Sequence, residues 1–73
     1  MISNPDTARN VIQAMIEAMR QVEECCQLVG NNNVEEGRAF SRTLSPVMGT
    51  IAFDVLEPLF EGYPEFKPAN WGE

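Results

Sequence analysis

With 73 residues, 44% of them hydrophobic, and a net charge of −6, the chain has room for one domain at most and enough apolar content to fold. The acidic balance argues against a nucleic-acid-binding surface, whose affinity comes mainly from Lys and Arg, and against docking on an anionic membrane. The lack of histidine removes the commonest general base and metal ligand, and with it every Ser-His-Asp or Cys-His catalytic set, so neither an enzyme nor a resident cofactor is expected.

The opening MISNPDTARN lacks the charged and apolar blocks of a signal peptide. Ser3 and Asn4 are both good helix N-caps, Pro5 suits the first helical position, and Asp6 complements the positive end of the helix dipole. From there Ala8, Ile12, Met15, Met19, Val22, Cys26 and Val29 recur in steps of four and three. That is a helical seam, widened by Val11, Ile16 and Cys25. The opposite face is polar, and Glu17, Arg20 and Glu24 have the spacing to pair along it. The pattern predicts a helix from 5 to 29, stopped by Gly30 in left-handed conformation. Cys25 and Cys26 are adjacent and point about 100° apart on a helix, so they do not bridge. With no other cysteine, a reducing cytoplasm is the expected setting.

Gly30, Asn31, Asn32 and Asn33 read as a tight turn at 30–33, and Asn33 with Glu36 has capping-box spacing. A second helical region is expected over 34–61, antiparallel to the first. Phe40, Leu44, Val47, Met48, Ile51, Val55 and Leu59 keep helical spacing across it. Pro46 interrupts this region, which implies either a kinked helix or a break with Ser45 as a new N-cap; the preserved spacing favours the kink. After Pro46 the polar residues reduce to one thin stripe of Thr50, Asp54, Glu57 and Glu61, and almost everything else through Phe60 is apolar. Such a helix is buried on more than one side, which one partner helix does not achieve. Gly62 and Pro64 end it. An extended tail over 62–73 then carries Tyr63, Phe66 and Trp71, half of the six aromatics, either as a docking segment or as a cover for the chain's own bundle.

The expected fold is therefore all-α: an antiparallel helical hairpin with the second helix kinked or broken near Pro46, paired as a homodimer into a four-helix bundle. Nine apolar residues between 47 and 60, at about 1.5–3 kcal/mol for each large one fully buried, supply the motive. The self-association surface is expected from Ile12, Met15, Met19, Val22, Cys26, Met48, Ile51, Phe53, Val55, Leu56 and Phe60. Partner-binding candidates are Tyr63, Phe66 and Trp71, and Arg38 with Arg42, one turn apart and able to clamp a carboxylate or phosphate; the plain alternative for the arginines is local pairing with residues such as Glu35. Met15, Met19 and Met48 are either core filler or the lining of an adaptable groove.

The functional expectation is a small acidic, non-enzymatic protein-interaction module of inhibitor, immunity or regulatory type. One alternative is a bundle that binds a small ligand or divalent metal through Asp54, Glu57 and Glu61 across a dimer. Another is a structural subunit of a larger complex.

Overall fold

The computed structural model describes residues 1–71. Positions 72 and 73 of the expected tail lie outside the described residues. The architecture is an all-α hairpin, with no strand among the described residues. Helix α1 spans Pro5–Asn32. Asn4 is its N-cap, the side-chain oxygen accepting from the Thr7 N–H at 3.0 Å, with Pro5 and Asp6 in the first turn. On its exposed face Arg20 donates to Glu17 at 2.6 Å and to Glu24 at 3.0 Å.

The stop expected at Gly30 is corrected by the structure. Gly30 is helical, without left-handed backbone, and α1 runs on through Asn31 and Asn32. The four-residue turn shrinks to Asn33 alone, extended at φ −156° and ψ 116°. Asn33 serves both helices. Its N–H donates to the Val29 carbonyl at 2.9 Å, and its side chain accepts from the Glu36 N–H at 3.0 Å. One residue suffices because the two helix ends nearly touch: a Cβ on Gly37 would overlap the Gly30 Cα and stand 2.9 Å from the Gly30 nitrogen. The glycine pair is thus a close-approach device between helices, and neither member supplies a turn conformation.

Helix α2 spans Val34–Gly49 with Pro46 inside it. The backbone stays in the right-handed helical region through both of the next junctions, at Gly49–Thr50 and Leu56–Glu57. Ser45 does not start a new helix; its hydroxyl donates back to the Ser41 carbonyl at 3.0 Å. A π-helical segment, Thr50–Leu56, follows, and then a short helix α3, Glu57–Gly62. The Glu57 N–H donates to the Ala52 carbonyl, five residues back. The cause lies at Pro58, the second residue of α3. Proline has no N–H to offer Asp54, four residues earlier, and its ring would strike that carbonyl; a wide turn relieves both problems and inserts one extra residue into the helical register.

The chain reverses again at Tyr63, and the tail is not simply extended: Pro64–Phe66 forms a 3-10 turn. The core sits at this end. Ile12, Leu56, Leu59 and Phe60 are buried together, and Ile2, Val11, Met15, Ile16, Met19, Ile51, Val55, Phe66 and Trp71 pack around them. The molecule is long and thin, 43 × 21 × 17 Å, with a radius of gyration of 14.2 Å against about 11 Å for a compact chain of this length. One end is a closed core; the other is a bare two-helix arm.

The Arg20 guanidinium beside Glu17, helped by Gln21, holds the Glu17 carboxyl down from 4.5 to about 2. A depressed carboxyl stabilises the fold above its unfolded value and loses that contribution as pH falls through the folded one. Both groups are exposed, so the effect is small. The stability gap between wild type and Glu17→Gln, read by urea titration, should be constant above pH 5, narrow from about pH 4.5 and vanish below about pH 2.

Candidate interaction surface

The closed end accounts for every buried side chain among the described residues: Ala8, Ile12, Leu56, Leu59 and Phe60. In the arm, residues 20–49, the one buried residue is Gly37. Leu28 and Val34 are 64% and 62% exposed there, and Phe40 and Val47 also face solvent. Two helices in contact cover one flank each and leave two flanks open, so the arm's apolar content lies on the surface.

On one side of the arm a groove runs between α1 and α2. Val22 and Cys26 line it from α1, and Leu44 and Met48 from α2, with Ser41 and Ser45 beside them. The same channel continues past Cys26 and Ser41 to Gly30 and Gly37, ending at Val34. Its two edges differ in charge. Glu23 and Gln27 stand on the α1 edge, and Arg38 and Arg42 on the α2 edge. The opposite side of the arm carries a second depression walled by Val29, Ala39 and Phe40.

The residues expected to form one self-association surface divide into three sets. Ile12, Leu56 and Phe60 are buried in the chain's own core, which removes them from any outer surface. Met15, Met19, Ile51 and Val55 are half-buried against that core. Val22, Cys26 and Met48 line the open groove. Phe53 stands apart from these sets, 69% exposed. Cys25, read as widening the seam, is exposed, and both cysteines are free thiols.

Of the partner-binding candidates, the three aromatics fold back onto the chain. The Trp71 ring meets Phe60 edge-on at 5.0 Å, and its Nε1–H donates to Glu57 Oε1 at 2.8 Å. Tyr63 stacks on Phe66 at 5.5 Å and donates its hydroxyl to the Ile2 carbonyl at 2.8 Å. Glu57 therefore leaves the solvated acidic stripe. It is half-buried as the acceptor for Trp71, while Asp54 and Glu61 remain exposed. Among the described residues no three acidic or cysteine side chains come together as metal ligands. Arg38 and Arg42 form no ion pair among the described residues, with Glu35 or any other group.

The tail's hydrogen bonds give a direct check on its covering role. Tyr63→Phe keeps the ring and deletes one bond to a part-buried carbonyl, and should cost about 0.5–1.5 kcal/mol. A drop in melting midpoint of about 4–8 °C per kcal/mol is expected for a domain this size; an unchanged midpoint would mean that the tail does not hold the closed end.

Among the described residues no helix is long and apolar enough to cross a membrane. No protein-family model, no curated protein and no solved structure matches this chain.

Proposed function

We propose that this chain is a non-enzymatic interaction module that acts by binding a macromolecular partner and uses its two-helix arm to do so. The observation that carries this reading is the uneven distribution of apolar burial. Among the described residues the core, the tail aromatics and both long-range side-chain hydrogen bonds are gathered at one end, while the arm keeps Leu28, Val34, Phe40 and Val47 in water. The apolar floor of the groove between α1 and α2, lined by Val22, Cys26, Leu44 and Met48, is the contiguous apolar surface that marks interaction sites in soluble proteins. The closed end then serves as an anchor that holds two helices at fixed spacing. The acidic surface outside the arm keeps the free chain soluble.

A photo-crosslinking phenylalanine analogue at Val34, exposed at the end of the groove, in the cell that makes this protein, tests the reading. One abundant protein adduct from position 34, absent when the analogue replaces Asp54 outside the arm, is the expected result. Equal, diffuse labelling from both positions would remove the arm as the binding element.

A further inference from the structure

We propose that the groove is closed by a second copy of this chain, the two copies related by a two-fold axis running along the groove, so that α1 of each lies over α2 of the other. The inference rests on the reading of the arm as a binding element and adds which occupant it takes and in what orientation.

The argument is one of charge. Of the basic residues, Arg9 pairs with Asp6, and Arg20 with Glu17 and Glu24. Arg38 and Arg42, without an ion pair among the described residues, stand on the α2 edge of an apolar groove in a chain of net charge −6. Glu23, likewise without an ion pair among the described residues, stands on the other edge. The heights of these groups follow from the hairpin. Counting outward from the Gly30–Gly37 contact, Cys26 is level with Ser41 and Glu23 with Leu44, two residues from Arg42. The offset along the axis is about 3 Å. A two-fold along the groove exchanges the edges at constant height. It therefore sets Glu23 of each copy against Arg42 of the other, twice, with Gln27 near Arg38. The antiparallel arrangement would instead lay the arginine edge on itself. An unrelated helix would have to bring one acidic and one basic edge at this spacing, and this chain already carries both.

The floor fits the same occupant. Val22, Cys26, Leu44 and Met48 from two copies make the central layers of a four-helix bundle. Residues 19–32 of α1 span about 21 Å, and the hairpin is 21 Å across at most. Each copy then contributes at most about 450 Å², a total of about 900 Å², which is the size of a weak, transient interface and not of a stable one. The dimer is accordingly weak and reversible, and forms only as concentration rises.

Sedimentation equilibrium over a wide concentration series tests this with wild type, Glu23→Arg, Arg42→Glu and an equal mixture of the two variants. Wild type should rise from 8.2 kDa towards twice that mass. Each variant alone places like charges across the groove and should need at least about tenfold higher concentration to associate. In the mixture both contacts regain opposite signs, and association should return. Circular dichroism of the variants, both at exposed positions, confirms that they fold. Variants that associate like wild type would overturn the orientation while leaving the arm as a binding element. A wild type that stays at 8.2 kDa throughout would overturn the second copy as occupant, with the crosslinking from position 34 judging the arm separately.

Discussion

Gly37→Ala is expected to destabilise the hairpin, and Gly30→Ala is not. An alanine Cβ at position 37 would overlap the Gly30 Cα and stand 2.9 Å from the Gly30 nitrogen. Both are backbone atoms, so no side chain can swing aside, and the helices must separate where a single residue joins them. Overpacking of this kind costs about 1–3 kcal/mol, against a gain of about 1 kcal/mol from replacing a helical glycine by alanine. The rigid neighbour places Gly37→Ala at the upper end of that cost, for a net loss on the order of 1–2 kcal/mol. At position 30 the added Cβ would lie 3.9 Å from the Gly37 Cα, an ordinary contact. Gly30→Ala should therefore be neutral or stabilising by up to about 1 kcal/mol. Urea titrations followed by helical circular dichroism measure both. The pair also separates two roles for Gly30. A left-handed helix stop would make Gly30→Ala costly, whereas a close helix contact makes position 37 the sensitive one.

The second large effect is expected at Phe60. This side chain is 3% exposed, belongs to the buried cluster with Ile12, Leu56 and Leu59, and meets the Trp71 ring in a T-shaped contact. Truncation to alanine removes a large apolar contact and the support of the tail together, at about 3–5 kcal/mol. A chain of 73 residues has a total stability on the order of 4–11 kcal/mol, so Phe60→Ala should bring it close to unfolding and expose Trp71 to water. Its fluorescence should shift to the red at denaturant concentrations where wild type is still folded. Phe53→Ala, seven residues earlier and 69% exposed, should change stability by less than about 0.5 kcal/mol. Equal effects at the two positions would mean that the π-helical segment does not set the register of the closed end.

That comparison shows where sequence reasoning reached its limit. In a regular α-helix residues seven apart share a face, so Phe53 and Phe60 read as one surface. The signal that separates them is Pro58, whose missing N–H and bulky ring call for a wide turn just before it; a helical repeat read by hydrophobic spacing alone passes over it. The glycines repeat the lesson. Gly30 before three asparagines has the composition of a helix stop, and only its partner Gly37, almost equidistant from Asn33, marks a close crossing instead. What local chemistry dictates was legible: the Asn4 cap with Pro5 and Asp6, the Asn33 cap, the pairing of Glu17, Arg20 and Glu24, the hairpin and the aromatic content of the tail. The distribution of burial was not. An apolar seam of even strength along α1 meets a full set of partners only at one end, because the tail returns there, and the return depends on contacts between residues 61 and 14 positions apart, Tyr63 to Ile2 and Trp71 to Glu57. For the site, the sequence marked Val22, Cys26 and Met48, but the division of the groove into an acidic and a basic edge emerges only when α1 and α2 are set side by side.

The central claim is that stability is concentrated at the closed end and that the arm waits for another chain. Amide hydrogen exchange resolved by residue, on dilute and concentrated samples, measures this most directly. The slowest amides should lie in residues 8–19 and 55–62, with the arm over 20–49 exchanging faster in dilute protein and gaining protection as concentration rises. Uniform slow exchange along both helices of the dilute chain, unchanged on concentration, would contradict the account.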